Sequence, residues 1–241
     1  MQISPDILFS IMGFPVTNTV VATLLTDIVI IALAVLVSKA VILRPGSLQN
    51  AAEAVIDYFK DTAENIAGER ASFIYPWAVS FFLFIAVSNL LAQVPGFESI
   101  RFHTSMSGRD GVAFLRAATS DLNLTLALAV ASVIATHCLS IKHTGIKGYV
   151  TRFITLKMFP VFLFVGLLEL VNELAKFFSF SFRLFGNIFA GERVMGTMYG
   201  LCSIGLPLPF IALELMVALI QAIVFAMLTM AFMHIMTDKS H

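Results

Sequence analysis

Long apolar runs alternate along the chain with short clusters of charge, glycine and proline. A bilayer core about 30 Å thick is crossed by about 20 apolar residues in helical form. The first run of that length goes from Thr19 to Leu43, broken only by Asp27 and Lys39. Arg44-Pro45-Gly46 ends it, and Ser47 is placed to cap the next segment. Residues 47–70 alternate at helical spacing: Ala51, Ala54, Val55, Tyr58 and Phe59 share one stripe, opposite Glu53, Lys60, Asp61 and Glu64. That pattern predicts an amphipathic helix on the membrane surface or against a neighbour. A second span is predicted over 72–94, closed by Pro95-Gly96, and a third over 122–141. Between them lies a polar loop with Arg101, His103, Arg109, Asp110 and Arg116. After the third span, Lys142, His143, Lys147, Arg152 and Lys157 read as a basic connection. Two further runs follow, 158–202 and 207–236, the second opening on Pro207 and Pro209.

The lengths of these last two runs predict their posture. As single helices they would extend roughly 65 Å and 45 Å at 1.5 Å per residue. Average tilts of about 20° cannot fit such lengths into a bilayer. The two helices must incline steeply, or break and re-enter. The predicted fold class is therefore all-α: one polytopic membrane domain over residues 1–241, with about five spanning helices and an amphipathic surface helix.

Composition supports the lipid environment. Of 241 residues, 59% are hydrophobic and 12% charged, against roughly 25% charged in soluble domains, and the mean hydropathy is +0.92. Equal numbers of basic and acidic residues, 15 each, give no reason to expect a nucleic-acid partner. Cys138 and Cys202 have no metal-ligand spacing, so neither a metal nor a cofactor is expected. Met1–Pro15 lacks a basic leader region, so no cleavable signal peptide is expected, and the first span can direct insertion.

Basic residues in short loops set the expected orientation. One set of loops carries nine: Lys39, Arg44, Lys60, Arg70, Lys142, Lys147, Arg152, Lys157 and Lys239. The opposite set carries three: Arg101, Arg109 and Arg116. The imbalance places the N-terminus outside and the C-terminus in the cytoplasm or its organellar equivalent.

The chemistry lies in the charges inside the runs. A charged side chain at mid-membrane costs about 2.5–3.5 kcal/mol even on the mildest scale, so each is a functional candidate. Glu169, Asn172, Lys176, Ser179, Arg183 and Asn187 recur at steps of three and four and fall on one helical stripe. Gly186 and Ala190 continue that face with small residues, which lets a neighbouring helix approach closely. Glu192 falls half a turn away from Arg183, and Glu214 and Gln221 share a face of the last helix. The bland alternatives are snorkelling for Lys176 and Arg193, and packing for Asp27, Asn89 and the phenylalanines around Arg183. They leave the six-residue stripe unexplained. A guanidinium stays protonated at physiological pH and cannot relay protons. A fixed positive charge flanked by titratable carboxylates suits stepwise movement of protons or small cations, not an open pore.

The segment Ser181-Phe-Arg183-Leu-Phe-Gly186-Asn187-Ile-Phe-Ala-Gly191-Glu192 resembles the signature of subunit a of F-type ATP synthases. Glu169, Lys176 and Ser179 precede the arginine at the spacing of bacterial members. Leu219-Ile-Gln221-Ala-Ile-Val-Phe-Ala-Met-Leu resembles the family's glutamine-bearing helix, and Thr119-Ser-Asp121-Leu-Asn123-Leu-Thr125 its middle-span motif. The resemblance runs from about residue 18 to 236.

It implies a static subunit beside a rotating ring of c subunits, held by peripheral-stalk b subunits in a bacterial inner membrane. Arg183 would face the ring carboxylate and block a direct leak. Asn187, Glu192, Glu214 and Gln221 would line a half-channel from outside; Glu169, Lys176 and Ser179 would lie toward the cytoplasmic exit. ATP chemistry would belong to other subunits, and no phosphate-binding loop, zinc motif or nucleophile elbow is present here. Many bacterial members carry histidine at the position of Glu214, whereas this chain has glutamate at both 192 and 214. Two close carboxylates disfavour double ionisation, so one is expected to hold a proton. The pair suits H+, and would also suit transient Na+. Two other readings stay open: an anion transporter using Arg183, although no repeated halves are seen, and a scaffold for the stalk.

Overall fold

The computed structural model describes residues 5–11, 14–41, 46–94, 96–97, 101–102, 111–153, 161–201 and 205–237. Six α-helices form the frame: α1 (Asn18–Ala40), α2 (Ser47–Ala67), α3 (Ala71–Ala92), α4 (Leu122–Phe153), α5 (Val161–Leu201) and α6 (Pro207–Thr237). Among the described residues, four helical stretches are long and apolar enough to cross a membrane: Asn18–Lys39, Ser47–Ala92, Leu122–Ile146 and Pro207–Thr237. The molecule is an all-α, multi-pass membrane protein. α5, with 41 residues, is the helix that carries the charged stripe.

Two short antiparallel ladders add to the helical frame. β1 (Ile7–Ile11) pairs with β2 (Phe14–Thr17), and β3 (Arg101–Phe102) with β4 (Val112–Ala113). Neither was predicted: strands of two to five residues leave too little alternation to read.

Local chemistry explains most helix ends. Gly68 takes a positive φ of 55° at the end of α2, and its N–H bonds the Glu64 carbonyl. A 3-10 turn (Gly68–Arg70) then leads directly into α3. The N-cap of α2 is Gly46 and not Ser47, and no side chain bonds its first turn. Asp121 caps α4: its Oδ1 accepts from Asn123 N at 2.9 Å, the geometry that satisfies an otherwise orphaned first-turn donor. The same carboxylate accepts from Thr19 Oγ1 through Oδ2 at 2.8 Å. One side chain thus ties the starts of α1 and α4 together.

The helix that carries the predicted third span, 122–141, extends beyond it. α4 continues through Lys142 to Phe153, with non-helical angles only at Gly145 (φ 78°, ψ 158°). Without a side chain, glycine accepts that conformation and the helix resumes beyond it. The described part of the basic connection, to Phe153, is therefore helical on either side of Gly145, and Lys157 lies outside the described residues. A polar helical turn carries no apolar run to mark it.

The core has two adjoining parts. Phe59, Ala63, Ile74 and Ala78 from α2 and α3 meet Ala135 and Leu139 of α4 and Ala226, Met230 and Met233 of α6. Next to it, Phe81 and Ile85 of α3 meet Ala129 of α4, Phe180 and Leu184 of α5, and Ala222 and Phe225 of α6. Alanines at these positions let the helix backbones approach closely, which is how helices associate where lipid removes the hydrophobic drive. α6 lies at the centre. Leu24, Ile28, Ile31 and Leu36 of α1 stay exposed, as side chains facing lipid do.

Candidate functional site

The stripe on α5 faces outward. Asn172, Ser179, Arg183 and Asn187 are exposed, interleaved with exposed Phe178 and Phe182. One turn separates Arg183 from Ser179, and the guanidinium Nη2 donates to Ser179 Oγ at 3.2 Å. The opposite face, with Phe180, Ser181, Leu184 and Ile188, is buried against the bundle. Ser181 is held there by Thr125 of α4 at 3.2 Å. Packing on one side therefore forces the arginine outward on the other.

Toward the C-terminal half of α5, the predicted residues come together with α6. Asn187 Nδ2 donates to Gln221 Oε1 at 2.8 Å. Glu214 is buried and lies over Gly191, where a Cβ would stand 2.6 Å from its Oε1. Gly191 is thus needed for the space it leaves. Glu192 points to another partner: Arg116 Nη2 lies 3.6 Å from its Oε2, with the two side chains only 11% and 12% exposed. Sequence reasoning placed Arg116 in a polar loop. The structure puts it beside the carboxylate, because Ala117, Ala118, Thr119 and Ser120 are buried and draw the loop inward.

Toward the N-terminal half of α5, Lys176 Nζ donates to Glu173 Oε1 at 2.6 Å. Its ammonium also sits over the Phe232 ring at 4.7 Å, an arrangement worth about 0.5–2 kcal/mol. Lys176 is therefore fixed between α5 and α6 rather than simply snorkelling. The other carboxylate oxygen of Glu173 lies 3.8 Å from His137 Nε2 on α4. His137 Nδ1 in turn meets the Tyr149 hydroxyl at 3.1 Å. Glu169 lies on α5, but its side chain is outside the described residues.

Three functional candidates were missed: Arg116, His137 and Glu173. A signal existed for two of them. Glu173 stands three residues before Lys176, the spacing of a helical ion pair. His137 is an ionisable group inside an apolar run, which by itself marks a candidate. Arg116 gave no local signal, since its partner is remote in sequence. Asn89 is a packing residue: it accepts from Thr119 Oγ1 at 2.6 Å and donates to the Ala218 carbonyl at 3.3 Å. Among the described residues, no group of three or more His, Cys, Asp or Glu side chains is placed to hold a metal ion.

Comparison with known proteins bears on this arrangement. The profile of the family described as "ATP synthase A chain" matches residues 19–234. A protein of Syntrophobacter fumaroxidans named ATP synthase subunit a is 31% identical, over 99% of this chain and 92% of its own. Its namesake in Desulfotalea psychrophila is 34% identical over 82% of this chain and 75% of its own. A third, from Citrifermentans bemidjiense, is 29% identical over 93% and 89%.

Proposed function

The chain belongs to the ATP synthase A chain family, the proton-translocating stator of F-type ATP synthases, and on that premise we propose that Arg183 is the charge that faces a rotating ring of c subunits. As a member of that family it is a membrane subunit without catalysis of its own. The observation that carries the proposal is the position of Arg183: exposed, in mid-helix, between exposed Phe178 and Phe182. Facing lipid, it would cost about 2.5–3.5 kcal/mol or more. A ring carboxylate brought opposite removes that cost and is kept ionised while it stays. When the ring turns, the carboxylate leaves the arginine and accepts a proton. The permanent charge prevents ions from passing straight through.

Two separate half-channels then supply and remove the proton. Asn187, Gln221, Glu214 and Glu192 would line the one from outside; Lys176, Ser179 and Glu169 would stand toward the cytoplasmic exit. The helix lengths support a partner with a curved surface. α5 and α6 have 41 and 31 residues, or roughly 60 and 45 Å at 1.5 Å per residue, so both incline across the membrane along the ring. Each proton crossing contributes about 2.3 kcal/mol per 100 mV. Arg116, 3.6 Å from Glu192, favours H+ over Na+, since a fixed cation beside the carboxylate repels a second one. The b subunits of the peripheral stalk would hold the chain still, in a bacterial inner membrane. Basic loop residues put the N-terminus outside.

The test is ATP-driven proton pumping in inverted vesicles, comparing the native complex with Arg183→Ala at equal assembly. Pumping should be lost and a passive leak should appear. Coupled pumping at the native rate would rule out the stator role and bring the transporter or scaffold readings forward.

A further inference from the structure

Three polar side chains outside the predicted stripe, together with Lys176 from within it, form a series between α4 and α5. Lys176 Nζ holds one oxygen of Glu173 at 2.6 Å. The other oxygen lies 3.8 Å from His137 Nε2, a gap that a small side-chain rotation closes. On the far side of the same ring, Nδ1 meets the Tyr149 hydroxyl at 3.1 Å. The Tyr149 ring stands edge-on to the imidazole, 5.8 Å between centroids. Tyr149 lies beyond the break at Gly145, past the apolar part of α4, whereas Lys176 lies two helical turns from Arg183. The series therefore leads from the neighbourhood of the arginine to the membrane edge where α4 ends and α5 begins.

A structural ion pair would need only Glu173 and Lys176. It would not need an imidazole with a hydroxyl bonded at one nitrogen and a carboxylate 3.8 Å from the other inside an apolar helix. A ring held in that way accepts a proton on one nitrogen and releases one from the other, the property that makes histidine a shuttle. We infer that Glu173 and His137 form a proton relay on the cytoplasmic side of the chain, a site that deepens the stator reading above and rests on it. In the direction of release, a proton on the Glu173 carboxyl passes to His137 Nε2. The resulting imidazolium gives its Nδ1 proton to the Tyr149 oxygen, while the Tyr149 hydroxyl gives its own proton to water. The net result is one proton moved from Glu173 to water. Exchange with water, one proton leaving Nε2 and one arriving at Nδ1, restores the first tautomer with no net proton moved. Lys176 orients the carboxylate and does not itself transfer the proton.

The relay is tested in the assembled complex by ATP hydrolysis in inverted vesicles with an uncoupler present. Turnover there requires protons to cross this chain, but no gradient builds up. His137→Ala should slow turnover by about tenfold or more, as the loss of a positioned acid–base group does. Added imidazole should restore much of the rate, with no effect on the native complex. Native turnover in assembled His137→Ala would overturn the relay. So would slow turnover that imidazole leaves unchanged, since a packing role is not repaired by a free base. If His137→Ala does not assemble, Glu173→Gln decides: the relay requires slow turnover there and its recovery in Glu173→Asp, and native turnover in Glu173→Gln overturns it. Arg183→Ala in the same vesicles separates the two proposals. If that variant pumps normally once the uncoupler is left out, the stator reading fails; if its uncoupled turnover is lost while His137→Ala is fast, only the relay fails.

Discussion

The two halves of α5 on either side of Arg183 organise their polar groups differently. In the C-terminal half the contacts are tight and specific: Asn187 to Gln221 at 2.8 Å, and Glu214 seated on Gly191. In the N-terminal half they form an extended series reaching α4, with a 3.8 Å gap at its centre. The first half is built by α6 closing on small residues. The second is built by long side chains spanning a wider space. Geometry of the first kind is sensitive to volume, and of the second kind to the loss of an exchangeable proton.

The largest test of that difference is Gly191→Val. A Cβ at 191 would stand 2.6 Å from Glu214 Oε1, so a branched side chain must displace the carboxylate. Turnover of the complex should fall by about tenfold or more, equivalent to at least about 1.4 kcal/mol of barrier. Gly200→Ala, where a Cβ meets open space, should stay near the native rate. Equal effects at the two glycines would remove the idea that Glu214 needs its seat. Next in size is Arg116→Gln, which takes the cation away from Glu192. A buried carboxylate that loses its partner costs about 1–3 kcal/mol. We expect several-fold slower pumping, recovered in part by Arg116→Lys; a native rate would show the pair to be incidental.

Two double-mutant cycles sharpen the comparison at a smaller scale. Asn187→Ala with Gln221→Ala, read by thermal unfolding of the detergent-solubilised chain, should show coupling of about 1 kcal/mol. Lys176→Met with Phe232→Leu should show a smaller value, about 0.5 kcal/mol, the lower end for a cation–ring contact. A reversal of that order would contradict the tighter packing assigned to the C-terminal half.

Hydropathy made the helical frame legible, because lipid demands long apolar runs and Pro or Gly marks their ends. It predicted 207–236 and 72–94, where α6 and α3 cover Pro207–Thr237 and Ala71–Ala92. Its third span, 122–141, ends with the apolar run, whereas helical structure goes on to Phe153 across a kink at Gly145. It was silent on β1 and β2, whose pairing depends on the chain folding back. Within the site, helical periodicity was enough to group Arg183, Ser179 and Asn187. It could not join Arg116 to Glu192 or His137 to Glu173. Those pairs depend on how separate helices and loops meet, and no period within one segment encodes that. The Glu192 and Glu214 pair was legible as two carboxylates, but the cation beside one of them was not.

The hydrogen bond from Thr19 to Asp121 closes a separation of 102 residues, and that separation sets a clock on synthesis. At about 5–20 residues per second, α1 must wait roughly 5–20 s in the membrane before the carboxylate that secures it has been made. For the first part of that interval its inward-facing Ala22 and Thr26 have no α3 to rest on, because Ala71–Ala92 has yet to emerge. The first helix therefore enters the bilayer as a provisional guest, stable through its own apolar length alone. Its final rotation is fixed only when the start of α4 arrives. Asp121→Ala should leave insertion of α1 intact and delay the moment at which the first helix acquires a fixed face.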